Sequence, residues 1–325
     1  MKADGEQYSQ VMKARAFDIE ANRMVCLLNL IDAIELGVFP LDRVELTNLG
    51  NSRKIVTVID ITKTMLGENE VGIFKEVAEK LLLKEGKKVR VRPVEKPESL
   101  GFIKRKLEGE TLSESEIKAI VRDIGDNKLS EVEVAAFVVG VYIHGYNLEE
   151  TAAMTKALTE DGKQLKLEKG PVLDKHCIGG TNGRTTMVVV PIIAAAGYYI
   201  PKTSSRSITS AAGTADVMEV LANVCLPLSD IKKITEKVGG VIAWGGALDL
   251  APVDDEIIRV EHPFSLDPVG QIIASVMAKK ASVGSKYVVV DLPVGPNVKI
   301  KTRDKAEGMA KKIIQVGKKL GIKVE

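Results

Sequence analysis

Apolar and polar positions along the chain change their spacing from one region to the next, and each spacing predicts a different element. Alternating or continuously apolar runs predict strands, whereas apolar residues that recur every three or four positions predict helices. In the first part of the chain, strands are predicted over residues 13–19, 24–29, 43–47, 54–61 and 88–93. Helices are predicted over residues 30–36 and 70–83. Together these elements predict a small, barrel-like α+β assembly domain over residues 12–96, after a flexible extension or tag over residues 1–11.

Residues 97–165 predict a helical domain. Ser113 with Glu116, and Ser130 with Glu133, have the spacing of a capping box, and Asn147 with Glu150 is a weaker form of the same start signal. Apolar residues then recur at helical spacing over residues 117–124, 132–143 and 148–158. We expect residues 254–282 to complete this domain with a further helix, which begins at Asp267-Pro268 and places Ser275 and Lys279 on one face.

Residues 166–253 and 283–325 predict an α/β domain with a parallel sheet. Strands are predicted over 171–173, 223–227, 240–244 and 287–292, and helices over 187–195, 215–221, 229–238 and 305–320. We expect the helix over 187–195 to be buried, and Thr214 to be the N-cap of the helix after it. The near-continuous apolar run over 287–292 predicts a central strand that is buried on both faces. A sheet that stops there predicts that the domain is truncated at its C-terminus or completed by a partner.

The composition of the chain limits the classes of partner and site that are expected. The 325 residues are 45% hydrophobic and 28% charged, with a net charge of +2, so neither nucleic acid nor a membrane surface is expected as a partner. No apolar run reaches the ~18 residues that a membrane-spanning helix needs. Three cysteines and three histidines without ligand spacing predict a reducing, cytoplasmic setting and no metal site.

The candidate chemistry begins with a glycine-rich segment, residues 170–186. Lys175 precedes the loop Gly179-Gly180, and such loops bring backbone N–H groups close to a ligand. Together with the lysine they predict a site for a phosphate or carboxylate anion. The alternative is an ordinary strand–loop–helix connection, because a single glycine-rich loop is a weak signal.

A second polar segment, residues 202–214, strengthens the first interpretation. Its thirteen residues include seven with a hydroxyl group, together with Lys202 and Arg206. This composition is too polar for a core and has too few charges for an ordinary solvated surface. We therefore expect the two segments to form one pocket, in which Lys175, Ser204 and Thr214 face the same ligand.

These motifs resemble the thymidine/pyrimidine-nucleoside phosphorylase family. The segments that carry the resemblance are 174–180, 200–206, 213–216, 244–252, 265–268 and 274–280. The resemblance is greatest to the archaeal branch, whose members act on nucleoside 5′-monophosphates and carry an extra N-terminal domain like residues 12–96. It implies phosphorolysis of AMP to adenine and ribose 1,5-bisphosphate, with CMP and UMP as further substrates. It also implies a homodimer or a higher homo-oligomer, with phosphate as a substrate and not a cofactor.

The resemblance assigns a role to individual residues. Asp267 would be the general acid to the leaving base, and a donor carboxyl must hold its proton near neutral pH through burial or a like charge. The residues that would hold the attacking phosphate are Lys175, Gly179, Gly180, Thr186, Ser204 and Thr214. The residues that would meet the nucleotide are Gly179, Ser205, Arg206, Ser207, Ile208, Thr209, Ser210, Thr214, Ser275, Lys279 and Lys299.

Two positions depart from the family pattern. Cys177 stands where the family usually has serine, and a thiol is a weaker hydrogen-bond donor to phosphate. The alternative for Cys177 is a thiol made reactive by Lys175 and His176. The arginine that grips a pyrimidine base has no clean match, because Arg259 is offset by one and Val260 takes the aligned place. This second departure argues against thymidine as the substrate.

Other interpretations stay open at this point. The chain could act on unphosphorylated pyrimidine nucleosides, or it could be a non-catalytic assembly fragment. A phosphoribosyltransferase would need a carboxylate pair for magnesium, and Asp254-Asp255 is the candidate pair. Asp267 could simply cap a helix before Pro268, and Lys279 with Lys280 could be solvated charges at a helix end.

Overall fold

A computed structural model describes residues 8–21, 23–168, 170–179, 181–207 and 212–325, without the side chains of Thr181, Asn182 and Ala247. The chain divides into two compact units. The first comprises Met1–Ile103 and Arg122–Ala136, and the second comprises Lys104–Val121 and Phe137–Glu325.

The first unit contains a closed barrel. Its strands are β1 (Gln10–Ala16), β2 (Val25–Asn29), β3 (Arg43–Asn48), β4 (Lys54–Thr62), β5 (Glu70–Ile73) and β6 (Lys88–Val94). They are ordered β1-β5-β2-β4-β3-β6, and β6 closes the barrel by pairing with β1. Alternate residues of these strands point inward, and they form a core with side chains such as Leu28, Leu46 and Ile59. Helix α1 (Leu30–Leu36) begins at Asn29, whose side chain accepts a hydrogen bond from the N–H of Ile31.

The predicted helix over residues 70–83 is wrong in its first part. Residues Glu70–Ile73 form β5, and the helix is limited to α2 (Lys75–Leu81). The apolar spacing is compatible with a helix, but β5 lies between β1 and β2 and pairs with both. Closure of the barrel therefore outweighs the local helical pattern, as tertiary contacts often do.

The predicted helical segments within residues 97–165 are confirmed. They are α3 (Ser99–Leu107), α4 (Glu114–Gly125), α5 (Glu131–His144) and α6 (Leu148–Asp161). The capping box at Asn147 and Glu150 is complete, and the Ser113 N–H donates to Glu116 at 2.8 Å. Helices α10 (Pro252–Glu261) and α11 (Val269–Ser282) pack against α6.

Two parallel sheets form the rest of the second unit. One has the order β11 (Lys323–Val324), β10 (Ser285–Asp291) and β7 (Val172–Cys177), and the other pairs β8 (Ile200–Ser204) with β9 (Gly240–Trp244). Their helices are α7 (Thr186–Ala195), α8 (Thr214–Glu219), α9 (Leu228–Val238) and α12 (Arg303–Lys319). A 3-10 helix over Thr181–Thr185 connects β7 to α7.

Several predictions for this region need correction. The predicted strand over 223–227 is irregular, although the Val224 carbonyl accepts a hydrogen bond from the Trp244 N–H of β9 at 2.9 Å. Helix α7 forms as predicted, but Val188 and Ile192 are each 61% exposed, so it is not buried. Strand β10 is not buried on both faces, because Tyr287 and Val289 are exposed. Thr214 is the first residue of α8, and Gly213 is its N-cap.

The predicted fold class is confirmed, with a barrel-like N-terminal sheet, helices and parallel-sheet α/β architecture. The boundaries proposed for three domains stay a prediction. Among the described residues, every helix is too short or too polar to cross a lipid bilayer.

Candidate functional site

The carboxyl ends of β7 and β8 lie at the same edge of the α/β region. Val172 bridges Tyr199 in parallel orientation, and the Leu173 N–H donates to the Tyr199 carbonyl at 2.8 Å. Both strands run in the same direction from this bridge. Their last residues, Cys177 of β7 and Ser204 of β8, therefore lie at the same edge. The basic dipeptide Lys175-His176 therefore belongs to a strand and not to a loop. Ligands of parallel α/β sheets bind at this edge.

Lys175 and Asp174 point to opposite faces of β7, as neighbours in a strand do. The Lys175 side chain is 10% exposed, and its Nζ lies 3.4 Å from Oδ2 of Asp291 on β10. Asp291 pairs with Cys177 in the sheet register, so this cation is held at the end of the strand. The arrangement places a positive charge where the predicted anion would bind.

Gly179 has a backbone that other residues would strain. Its φ is +64°, and a Cβ atom added there would lie 2.3 Å from Cγ of Lys299. The Gly179 carbonyl accepts a hydrogen bond from the Lys299 N–H at 3.1 Å. Only glycine allows the lysine stem to approach this closely. The loop thus fixes where Lys299 lies.

Lys299 in turn forms an ion pair with Asp267. Its Nζ is 2.6 Å from Oδ1 of Asp267, and the two side chains are 28% and 52% exposed. The ammonium attracts the negative charge of the carboxylate, so Lys299 and Asp267 hold each other in this arrangement. The Asp267 side chain is therefore half exposed and paired with a cation, while Glu261 is the acidic group near it. Asp267 also precedes Pro268, the N-cap of α11.

Asp216 connects two backbone groups of the second polar segment. Its Oδ2 accepts hydrogen bonds from the N–H groups of Ser207 and Gly213, each at 2.8 Å. The bond from Gly213 is the main reason why the pKa of Asp216 is lowered. Arg206 bonds Asp216 at 3.0 Å and also pairs with Glu219. Its guanidinium lies 4.7 Å from the Trp244 ring centre. All of these contacts are within the protein, so Arg206 stabilises the loop in this structure.

Two threonines lie close to the glycine-rich connection. A Cβ atom added to Gly183 would lie 3.0 Å from Oγ1 of Thr214, which places that hydroxyl against the 3-10 helix. Thr186 is 1% exposed and Thr214 is 7% exposed. The Ala215 N–H approaches the Ser205 carbonyl at 3.4 Å, so the start of α8 also adjoins the segment after β8.

Several predicted residues therefore converge on one edge of the second unit. Lys175 and Ser204 lie at the adjacent ends of β7 and β8, and Thr214 reaches the connection between β7 and α7. Ser205 and Ser207 follow β8 in an exposed stretch. Gly180, Ile208, Thr209 and Ser210 lie outside the described residues.

A buried charge cluster lies on the other face of β7. The carboxylate of Asp174 is 2.6 Å from Nζ of Lys280 and 3.4 Å from Nζ of Lys202. All of these residues are at most 4% exposed. Burial alone would raise the pKa of Asp174, but the two ammonium groups outweigh it and leave the pKa lowered. Burial lowers the pKa of Lys202 to about 7. Lys280 is therefore not the solvated charge that was considered from the sequence.

Asp254 organises the face of α11 that carries Ser275 and Lys279. Its Oδ2 accepts from the Ser275 hydroxyl at 2.6 Å and lies 2.9 Å from Nζ of Lys279. Asp254 is 0% exposed, whereas the Lys279 side chain is 32% exposed. Burial opposes the charge of Lys279, but Asp254 and Asp255 outweigh it and raise the lysine pKa. Oδ2 of Asp254 therefore already holds a hydroxyl and an ammonium, and Asp255 lies 3.9 Å from the same ammonium.

Two further titratable groups lie near these elements. Burial, with nearby Asp254 and Asp267, raises the pKa of Glu261 to about 8. Burial, with Lys280, Lys202 and Lys279 nearby, lowers the pKa of His176 well below its ordinary value. At neutral pH Glu261 is therefore largely protonated and His176 is neutral.

Sequence reasoning missed that three carboxylates hold the lysines, namely Asp174, Asp254 and Asp291; Asp254 had been considered only as a magnesium ligand. Asp174 and Asp291 do follow a detectable pattern, because both are acidic residues within or at the end of an apolar strand. Asp254 has no such signal, since it lies on an amphipathic helix beside the exposed Asp255.

Comparisons with known proteins agree with this architecture. Residues 101–162 match the helical bundle domain of a glycosyl transferase family, and residues 169–249 match the a/b domain of a glycosyl transferase family. A crystal structure of anthranilate phosphoribosyltransferase from Thermus thermophilus is similar with a TM-score of 0.53 and 21% identity. That likeness covers 66% of this chain and 63% of the other, and it concerns the fold alone.

Curated relatives extend the likeness across most of the chain. AMP phosphorylase of Methanothrix thermoacetophila is 47% identical over 95% of this chain. AMP phosphorylase 1 of Archaeoglobus fulgidus is 46% identical over 97%, and AMP phosphorylase of Thermococcus kodakarensis is 46% identical over 96%. The chain spans 60% of the first relative and 62% of the other two. The resemblance of the motifs to nucleotide and nucleoside phosphorylases is confirmed by these relatives.

Proposed function

Because the chain aligns over most of its length with enzymes named AMP phosphorylase, we propose that it catalyses phosphorolysis of nucleoside 5′-monophosphates. AMP and inorganic phosphate would give adenine and ribose 1,5-bisphosphate, and CMP and UMP are proposed as further substrates. Such an enzyme is a pentosyltransferase of nucleotide salvage and degradation. The observation that carries the proposal is that alignment, at 46–47% identity over 95–97% of this chain, and the ion pair of Lys299 and Asp267 beside Gly179 is proposed as its acid centre.

The attacking phosphate is proposed to bind at the carboxyl ends of β7 and β8. Lys175 supplies the charge, and Thr186, Ser204 and Thr214 supply hydroxyl donors. The N–H groups of Gly179 and Gly180 complete the site. Charge-assisted hydrogen bonds from such donors are about twice as strong as neutral ones. Holding phosphate beside the ribose also turns a two-molecule encounter into a reaction between bound groups.

The nucleotide is proposed to contact both polar segments and α11. Ser205, Arg206, Ser207, Ile208, Thr209, Ser210 and Thr214 would meet its ribose and 5′-phosphate, together with Gly179 and Lys299. Ser275 and Lys279 would meet the edge of the base. The arrangement of Ser275 and Lys279 on one face of α11 supports this assignment.

Proton transfer in this proposal depends on an exchange of partners by Lys299. In the free protein, Lys299 neutralises Asp267. A 5′-phosphate that binds Lys299 would draw the ammonium away and add negative charge beside Asp267. Both changes favour the protonated form of the carboxyl, and Asp267 then becomes the general acid. Substrate binding would thus favour the proton-donating form of Asp267.

The chemical step can be written with its charges balanced. A phosphate oxygen forms a bond to C1′ of the ribose, while the bond from C1′ to the base nitrogen breaks. The electron pair of that bond goes to the base, and Asp267 gives it a proton. General acid catalysis of this kind typically contributes 10²–10⁴-fold.

The proposal is tested by measuring base release from AMP, UMP and thymidine by chromatography, with and without phosphate. We expect phosphate-dependent release of adenine from AMP, with ribose 1,5-bisphosphate as the second product. Release from thymidine but not from AMP would favour a pyrimidine nucleoside phosphorylase. No release from any substrate would favour a non-catalytic role for this chain.

We also propose that the chain assembles as a homodimer or a higher homo-oligomer, and that it works in the cytoplasm. The oligomer is suggested by the family resemblance, and light scattering measures it directly. The compartment is suggested by the cysteine content, because Cys26, Cys177 and Cys225 form no disulfide with one another.

A further inference from the structure

Asp254 is a completely buried carboxylate with two partly exposed partners. Its Oδ2 atom receives the Ser275 hydroxyl at 2.6 Å and the Lys279 ammonium at 2.9 Å. Asp254 cannot reach a ligand itself, because it is 0% exposed. Ser275 and Lys279 retain exposure on the same helical face, and Lys279 acts electrostatically on His176 near the end of β7. Asp254 therefore determines which hydrogen-bonding groups Ser275 and Lys279 can offer to a ligand.

The hydrogen-bond roles of Ser275 and Lys279 follow from the chemistry of the Asp254 carboxylate. An ionised carboxylate only accepts hydrogen bonds, so the Ser275 hydroxyl must use its one proton on Asp254. Its lone pairs stay free, and Ser275 can only accept a bond from a ligand. Lys279 has three N–H donors and no acceptor, so donors remain after one is used on Asp254. Asp254 thus fixes an acceptor and a donor, one helical turn apart.

We propose that Asp254 is a positioning residue that sets base specificity in favour of amino-substituted bases. Adenine and cytosine each offer an exocyclic amino donor next to an unprotonated ring nitrogen. These groups complement the acceptor of Ser275 and the donor of Lys279. Uracil offers a carbonyl acceptor next to a ring N–H, which is the reverse order. This inference rests on the proposed function, and it ranks AMP and CMP above UMP.

CMP and UMP make a matched pair for the test, because they share ring size, sugar and phosphate. A reversed donor and acceptor leaves polar groups unsatisfied, which corresponds to about 10- to 100-fold in kcat/KM or Kd. We would measure kcat/KM for phosphate-dependent base release, and Kd by calorimetry without phosphate. The comparison uses the wild-type chain, Asp254→Asn and Asp255→Asn.

Asp254→Asn should bring the CMP/UMP ratio close to one, because an amide can donate to Ser275 and free its hydroxyl to donate to uracil. If Asp254 had a purely structural role, the substitution would lower kcat/KM for CMP and UMP equally and leave their ratio unchanged. Asp255→Asn is the control, since Asp255 is 55% exposed and lies 3.9 Å from Lys279, and it should keep the wild-type ratio. Ser275→Ala should also lose the preference for CMP over UMP. If circular dichroism shows that Asp254→Asn is unfolded, the ratio measured for Ser275→Ala decides the test.

The outcomes separate this inference from the proposed function. Base release with equal CMP and UMP efficiencies in the wild type, or an unchanged ratio in the variants, overturns the inference and keeps the function. Preferential binding of CMP that is lost in Asp254→Asn, without any base release, supports the inference and overturns the function. A wild-type chain that neither binds these nucleotides nor releases bases overturns both.

Discussion

The Lys299 ammonium lies 2.6 Å from the Asp267 carboxylate, and the stem of the same lysine covers Gly179. The contact joins three segments that are distant in sequence, at the start of α11, after β7 and after β10. Changes in any of them should therefore alter the same chemical step.

Replacing Asp267 by asparagine removes the proposed acid and keeps the size of the side chain. We expect Asp267→Asn to lower kcat for adenine release from AMP by about 10²–10⁴-fold. Asp249→Asn is the matched control, because Asp249 is also exposed and paired with a lysine, Lys163, at 2.8 Å. Near-normal turnover by Asp267→Asn would remove Asp267 from this role.

The close contact at Gly179 makes a second prediction. Gly179→Ala should lower kcat/KM for AMP at least tenfold, because the new Cβ would displace Lys299 from Asp267. Gly197→Ala separates this effect from backbone strain, since Gly197 has a φ of +85° and open space around it. Equal activity of the two variants would show that crowding of Lys299 is unimportant.

Lys175 should act on phosphate more than on the nucleotide. We expect Lys175→Met to lower kcat/KM for phosphate by about 10- to 100-fold, which corresponds to the loss of a hydrogen bond to a charged group. Steady-state kinetics with phosphate as the varied substrate measure this effect. Lys286→Met, on an exposed position of β10, should leave the phosphate dependence unchanged. A phosphate KM that Lys175→Met does not alter would contradict the proposed site.

The Asp174 cluster predicts a large effect on stability. Asp174→Asn would leave Lys202 and Lys280 buried without a carboxylate, and breaking a buried ion pair costs about 3–5 kcal/mol. Urea denaturation would measure the free energy of unfolding. Asp230→Asn removes an exposed carboxylate 3.8 Å from Lys233 and should change stability by less than about 1 kcal/mol. A similar small change in Asp174→Asn would mean that the cluster contributes little.

Glu261 predicts a specific dependence of stability on pH. Its pKa is raised from 4.5 to about 8 in the folded chain, so between these values the folded state binds more protons than the unfolded state. The contribution of Glu261 to the free energy of unfolding therefore falls as pH rises through this window. Glu261→Gln should remove this slope and gain roughly 1–3 kcal/mol at pH 9 relative to wild type, allowing for partial exposure. Glu256→Gln, an exposed residue paired with Arg259, should keep the wild-type slope in denaturation measured from pH 5 to 9.

Local pattern was sufficient for most of the fold. The capping residues of α6 and the apolar spacing of α9 and α12 are properties of each segment, so they predict those helices without tertiary information. The pattern failed at β5 because pairing with β1 and β2 determines its conformation. It also failed for burial in α7 and β10, since apolar content alone does not determine which faces are covered.

The site could be predicted only as far as its segments. Glycine and hydroxyl residues mark the ends of β7 and β8, and these ends do adjoin. The partners of each lysine were not predictable, because they come from other elements. Lys280 reaches Asp174 across 106 residues, and Lys299 reaches Asp267 across 32. Such pairs depend on the packing of α11 against its neighbours.

The buried cluster of Asp174, Lys202 and Lys280 has a consequence for motion. Its members belong to β7, β8 and α11, so sliding any one of these elements would separate opposite charges in a low-dielectric interior. We therefore expect these three elements to move as a single rigid body in any conformational change that accompanies the proposed reaction. Any hinge that admits substrate and releases product must then lie in the connections outside this triangle.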